Sequence, residues 1–387
     1  MHAVVCGGGV VGLAAAYYLA RRGAEVTVCE AGSLGSGNTD RSVGGIRTQF
    51  STAVNVELSL ASLEVWDSFE ETFGVDIAHR RSGYLFLARS EATAERFHEQ
   101  VAMQNDLGVP SAYLSPDEAR EHGPELHASE FHGATYSPTD GFADPHLALQ
   151  GFSQGVREAG AEIRTKTPVL DVTVEEVGDP VVADVTVETA NGTLDADVVV
   201  NAAGAWARRV GSMVDVDLPI APRRRQVAVV DPQTPVPETV PLTIDLDTGS
   251  YFRPEREGRA LVGGHFSAED PDVDPDDYDT GMDLDWAVTA VERAGATAGY
   301  FGPETGLVRG WAGLYAVTPD HHAIVEISTP GVVTAGGFSG HGFQHSPATG
   351  QLVAELCLDG EASLVDVSRL SRARFDRDEG DAERNVA

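Results

Sequence analysis

Hydrophobic positions change period several times in the first thirty residues. Residues 3–6 (AVVC) form an unbroken apolar run, the pattern of a strand covered on both faces. Gly7, Gly8 and Gly9 interrupt it, and small and apolar residues then dominate "VVGLAAAYYLARRG", which predicts a helix stopped by Gly23. A second apolar run, "EVTVCE", predicts another buried strand ending at Glu30. Farther along, "STAVNVELSLASLEVWDSF" (51–69) reads as a helix. The stretch between "GYLFLA" (83–88) and "DGFADP" (140–145) reads as helical and loop-rich. Alternating, β-branched segments at 223–231, 242–254 and 258–266 predict sheet strands. "ADVVVNAAGAW" (196–206) is a further strand ending in small residues, and "GVVTAGG" (331–337) leads from a strand into a glycine-dense loop. Ser346-Pro347 has the residue types of an N-cap and first helical position and predicts the start of the next helix. The last stretch, "SRARFDRDEGDAERNVA", is polar and charged and predicts a fraying tail over 371–387.

The opening strand, glycines and helix carry chemistry. Gly7, Gly9 and Gly12 stand in G-x-G-x-x-G spacing between a strand and a helix. In that setting Gly7 permits a tight turn, Gly9 lets a pyrophosphate approach bare backbone, and Gly12 brings the helix close to the strand. The helix N-terminus at Val10 and Val11 offers free N–H groups and the positive dipole end to phosphates. Glu30, followed by Ala31, ends the second strand where a carboxylate accepts ribose hydroxyls and disfavours a 2′-phosphate. A dinucleotide site is expected. The glycine-rich polar loop 31–50, containing Ser36, Asn38, Gly45 and Arg47, suits an extended ligand. So do Ala203 and Gly204, and the loop from Gly337 through Phe338, Ser339, Gly340 and His341 to Gly342. Four segments at 4–30, 35–47, 196–206 and 331–350 are therefore expected to converge on one ligand.

Composition narrows the setting. The chain has 387 residues, 42% hydrophobic and 22% charged, which is globular and long enough for two domains. With 60 acids against 27 basic residues its formal charge is −33, which repels nucleic acid and anionic membranes. Lys166 is the only lysine, and a dispersed acidic excess of this kind fits a salt-rich cytoplasm that screens self-repulsion. No apolar window reaches the length of a membrane span, and the strand-like start lacks a basic leader, so a cytoplasmic protein is expected. Cys6, Cys29 and Cys357 have no metal or redox spacing and read as core thiols. His321-His322 lacks a third ligand at matching spacing, so no metal is expected.

These segments, with "GGIRTQF", "DGFADP", "YFRP" (251–254), "GLYAVTPD" (313–320) and "GGFSGHGFQHSP", occur in an order that resembles the D-amino-acid-oxidase-like family of FAD-dependent oxidoreductases. The resemblance spans nearly the whole chain and is nearest the sarcosine oxidase and glycine oxidase branch. It implies that the dinucleotide is FAD. It also implies an α/β fold, with a Rossmann-like FAD-binding domain and a second, mostly antiparallel-sheet substrate (cap) domain. The former would comprise 1–84, 145–214 and 320–370, and the latter 85–144 and 215–319. Val169 and Gln344 join the implied FAD contacts. Arg47 matches the arginine that holds a substrate carboxylate, and Tyr251 and His265 match cap positions facing the substrate.

Three departures are equally informative. Where sarcosine oxidases carry the cysteine that bonds to the flavin, this chain has Gly313, which implies non-covalent FAD. Leu261 replaces the lysine that promotes oxygen reduction, leaving oxygen or another electron acceptor open. Gln344 replaces a second carboxylate-binding lysine. The expected reaction is oxidation of the C–N bond of a small amino acid or N-methyl amino acid to an imine. A 2-hydroxy acid would present the same carboxylate to Arg47, and a flavoprotein subunit with purely structural FAD is the reading from another class.

Overall fold

A computed structural model describes residues 1–376 and 382–386. Its first layer is a six-stranded sheet in the order Ile324–Thr329, Val332–Gly336, Val198–Asn201, His2–Cys6, Glu25–Cys29, Glu162–Arg164. All neighbours are parallel except the first pair. Strand periodicity sorts the side chains. Ala3, Val5, Val26, Val28, Val198 and Val200 join a core with the helices Val10–Arg21, Ala53–Asp67, Pro145–Glu158 and Gly342–Asp359. Val4, Cys6, Cys29, Val199 and Val332 point the other way, against a three-stranded antiparallel sheet of Val169–Glu176, Ala183–Thr189 and Gly192–Ala196. Burial on both faces explains why the strands read as continuous apolar runs. All three cysteines are buried, as free thiols, and burial pushes Cys29 up to about 11 and Cys357 up to about 12.

The second layer is an eight-stranded sheet, ordered Gly306–Val317, Ala221–Asp231, Ala260–Gly264, Ser250–Pro254, Leu242–Asp245, Tyr84–Ala88, Gly133–Ser137, Ala112–Leu114. Every pairing is antiparallel except that between Leu242–Asp245 and Tyr84–Ala88. A domain division after residue 84 therefore cuts the strand Tyr84–Ala88, which lies whole in this sheet. One face packs Leu85, Leu87, Val230, Phe252 and Val262 with the helix Leu284–Thr297. The other carries Tyr84, Phe86, Val227, Ile244, Tyr251 and Leu261. The acid-rich stretch at 268–283 folds along the edge, where Asp272, Asp283 and Asp270 pair with Arg223, Arg224 and Arg225.

Two expectations are corrected. The helix expected to start at Ser346-Pro347 begins at Gly342, with Pro347 inside it. Proline has no N–H for the carbonyl of Phe343, four residues back, and Ser346 Oγ donates to that oxygen instead at 2.8 Å. The tail does not fray over its whole length. Arg374 is buried and pairs with Asp320 at 2.6 Å, and Glu383 and Asn385 are 1% and 2% exposed. Residues 377–381 and 387, also part of that expectation, lie outside the described residues.

Candidate active site

A cavity of about 810 Å³ runs between the two layers. At one end lies the first βα turn. Gly7 has φ +116°, a conformation costly for any residue with a Cβ, and its N–H donates to the Cys29 carbonyl at 2.9 Å. A Cβ on Gly12 would stand 2.0 Å from the Gly7 oxygen, so only glycine lets the helix start here. Thr39, from the following loop, accepts the Val10 N–H on Oγ1 at 3.1 Å. Glu30 holds the turn from below: its carboxylate oxygens accept the N–H of Gly8 at 2.8 Å and of Gly32 at 2.7 Å. It still lines the cavity.

Nearly all the expected cofactor contacts meet here. Gly7, Gly9, Val10, Val11, Glu30, Ala31, Ser36 and Asn38 line one stretch. Gly45, Val169, Ala203 and Gly204 line the next, and Gly337 to Gly342 with Gln344 close the far end. Gly12 does not line the cavity and acts through packing instead. Four segments distant in sequence thus enclose one elongated space with glycine-opened backbone and a helix N-terminus. The site fits a dinucleotide.

At the far end stands Arg47, 6% exposed. Its backbone N–H donates to Gln344 Oε1 at 2.8 Å. Nη1 donates to the Gln49 carbonyl at 2.6 Å, and Nη2 to the Asn385 carbonyl. Nη2 also lies 3.2 Å from His341 Nε2. Arginine offers only donors, so this contact requires the His341 tautomer with Nε2 bare. Burial, and next the Arg47 charge, hold His341 well below the usual imidazole range, so it is neutral. The guanidinium carbon sits 4.0 Å from the Phe50 ring centroid and 5.2 Å from that of Phe86. Stacked contacts of this kind hold the planar cation where little water reaches. Asp140 fixes the loop after it, accepting the Thr48 N–H at 2.9 Å, Thr48 Oγ1 at 2.6 Å and Gln49 Nε2 at 3.2 Å.

The cap sheet roofs this end with Tyr84, Tyr251 and Tyr315. Burial raises all three phenols above their ordinary value, so they are protonated donors near neutral pH. Tyr251 crosses Gly263, where a Cβ would meet the ring 2.2 Å away. His265 lies outside the cavity lining. It follows Gly264 at φ +142°, where the strand ends, and its ring is 3.8 Å from Asp270. Sequence reasoning passed over Tyr84, Tyr315, Trp311 and Asn385, all of which line the cavity. Tyr315 had a signal, since it stands two residues from Gly313 on one strand face. Asn385 had none.

The family model described as FAD dependent oxidoreductase, DAO, matches residues 2–356. The chain belongs to the DAO family. This DAO-family enzyme is 33% identical over 427 residues to the FAD-dependent oxidoreductase domain-containing protein 1 of Xenopus laevis, across 99% of the chain and 84% of that protein. It is 28% identical to the glycine oxidase of Geobacillus kaustophilus over 96% of each. The crystal structure of L-proline dehydrogenase from P. horikoshii superposes with a TM-score of 0.87 and 32% identity, covering 98% of both chains. The enzyme is an FAD-dependent oxidoreductase.

In this DAO-family enzyme Gly313 has no room for the attaching cysteine: a Cβ there would lie 2.8 Å from Cβ of Arg41. Non-covalent flavin is the expected result. Acid precipitation of the holoenzyme should leave the yellow colour in the supernatant, and a yellow pellet that resists washing would contradict it.

Proposed function

We propose that the enzyme oxidises the C–N bond of a small amino acid or N-methyl amino acid to an imine, which water hydrolyses. The observation that carries this reading is Arg47, a buried arginine that lines the cavity below the cap sheet, its guanidinium carbon within cation–π reach of the Phe50 and Phe86 rings. Such a group binds a carboxylate through charge-assisted hydrogen bonds and orients the carbon beside it. The glycine oxidase and L-proline dehydrogenase likenesses support an amino-acid substrate.

FAD held by the first βα turn, Glu30 and the loop Gly337–Gly342 would supply the two-electron acceptor. The chain's own groups then bind, orient and exclude water. Arg47 takes the carboxylate, Tyr251 and Tyr315 offer hydroxyl donors, and Phe50 and Phe86 keep the arginine dry. His341, neutral and accepting toward Arg47, holds the guanidinium rather than moving a proton. A 2-hydroxy acid fits the same clamp, so the experiment must separate the two. Glycine, sarcosine, proline, D-amino acids and 2-hydroxy acids are added anaerobically and flavin bleaching is followed. Bleaching by an amino or N-methyl amino acid is expected. Bleaching by 2-hydroxy acids alone would overturn the assignment, and bleaching by none would favour a structural flavin.

The electron acceptor belongs to the same proposal. Leu261 is 1% exposed in the apolar layer of the cap sheet, where it places no charge. This supports reoxidation by an acceptor other than oxygen, readable by mixing the reduced enzyme with air-saturated buffer and with a dye. The acidic composition supports a salt-rich cytoplasm as its setting, and among the described residues no helix is long and apolar enough to cross a membrane.

A further inference from the structure

Residues 382–386 lie beside Arg47, and Asn385 among them lines the cavity. Their anchor is Glu383. Its N–H donates to the Asp320 carbonyl at 3.0 Å. Its Oε1 accepts the Ser51 N–H at 2.9 Å, Ser51 Oγ at 2.8 Å and the Asn385 N–H at 3.0 Å. Its Oε2 accepts Thr52 Oγ1 at 2.8 Å and Asn55 Nδ2 at 3.1 Å. These donors cluster at the start of the helix Ala53–Asp67, whose own N-cap, Thr52, makes no side-chain capping bond. Ser51, Thr52 and Asn55 thus supply donors beside the positive end of this helix, which explains how a buried acid is tolerated there.

The anchor delivers Asn385. Its Nδ2 donates to the Gln49 carbonyl at 3.3 Å and to Gln100 Oε1 at 3.1 Å, and its own carbonyl accepts from Arg47 Nη2. Asn385 lines the cavity. With Nη2 shared by Asn385 and His341, and Nη1 given to Gln49, the orientation of the guanidinium is set by its surroundings rather than by a ligand. Burial lowers the affinity of Arg47 for its proton, and Glu383 leads the surrounding charges that offset this.

We propose that the segment 382–386, clamped by Glu383, is a working wall of the substrate site: its Asn385 carbonyl positions Arg47, and its bulk closes the carboxylate end of the pocket against larger amino acids. The inference rests on the reading of Arg47 as the carboxylate ligand. Glu383 is accordingly a positioning residue, and loosening it costs grip on carboxylates and discrimination by size together.

The test uses the holoenzyme with Glu383→Gln, Glu383→Ala and Asn385→Gly. Acetate and benzoate, which cannot be oxidised, are titrated through the perturbation of flavin absorbance, and kcat/KM is measured for a small and a bulky amino acid. The expected result is about tenfold weaker acetate binding in Glu383→Ala and a preference shifted about tenfold toward the bulky substrate. Glu383→Gln, which keeps the shape of the anchor, should lose less. Asn385→Gly keeps the carbonyl and the anchor but loses the two side-chain bonds, and should shift the size preference even if Glu383→Ala fails to fold. Unchanged acetate affinity and size preference in folded variants would overturn the proposal. So would an equal loss for both substrates that follows only a lowered melting temperature. Arg47→Ala separates the two readings. If it abolishes acetate binding while the Glu383 variants do not, only the wall fails, and if it binds acetate normally, the carboxylate clamp itself is wrong.

Discussion

Replacing Arg47 with alanine should lower kcat/KM by roughly two to three orders of magnitude, with KM raised and kcat lowered together. The expected cost is about 3–4 kcal/mol, the range for removing one partner of a buried, hydrogen-bonded charge pair. Both constants move because the arginine supplies orientation as well as affinity. Arg47→Lys should recover part of the loss, since an ammonium restores charge but neither the planar fork nor the guanidinium's contacts with the Phe50 and Phe86 rings. The side chain also satisfies the carbonyls of Gln49 and Asn385, so the alanine variant should melt at a lower temperature. Flavin content and the absorbance spectrum of the purified variant check that the site survives. Wild-type kinetics in a folded, flavin-loaded Arg47→Ala would move the carboxylate site elsewhere.

Gly12→Ala should give an apoprotein. Alanine gains about 1 kcal/mol over glycine in a helix interior. Against that, its Cβ would sit 2.0 Å from a backbone oxygen that no rotamer change can move. Gly7 cannot simply retreat, because it is packed against Ala202 and its N–H is held by Cys29. Relieving the overlap must displace the turn or the helix start, both of which line the cavity at Gly7, Gly9 and Val10. Displacements of this kind cost about 1–3 kcal/mol or more in packing alone. Cofactor binding, which needs the turn in place, should weaken by roughly two orders of magnitude or more. The measurement is flavin absorbance per protein after purification and dialysis. Stoichiometric flavin in the variant would show that the turn can shift without harm.

The parts of the molecule legible in the sequence are those whose cause is local. Strand His2–Cys6, helix Val10–Arg21 and strand Glu25–Cys29 follow from apolar runs, helix-favouring small residues and a glycine stop within thirty residues. The roles of Gly7 and Gly12 are backbone requirements, and spacing alone records them. Arg47 was legible through its glycine-rich surroundings together with the family resemblance. Local rules failed where a distant group changed the outcome. Ser346-Pro347 has the residue types of a helix start, but a hydroxyl donating back to Phe343 lets the helix begin at Gly342. His265 continues the alternation of Leu261 and Gly263 on the sheet face of Tyr251, yet the turn at Gly264 ends the strand before that alternation reaches it.

The sequence by itself determined the dinucleotide turn, because short-range periodicity and backbone freedom encode it, while its resemblance to a known family implied the α/β architecture and the arginine at the end of the cavity. Only the tertiary structure decided what surrounds that arginine. Tyr84, Tyr251 and Tyr315 come from three separate strands of one sheet, and no local pattern says which face of that sheet meets the cofactor layer. Glu383 and Asn385 belong to a segment whose polarity reads as solvation. The Glu383 carboxylate is satisfied at a helix start, and the Asn385 amide nitrogen and backbone carbonyl by two glutamines and a buried guanidinium, while Asn385 Oδ1 has no partner. Polarity specifies that a group needs partners. Whether water or protein supplies them depends on the packing of residues more than three hundred positions away (331 between Glu383 and Thr52, 338 between Asn385 and Arg47).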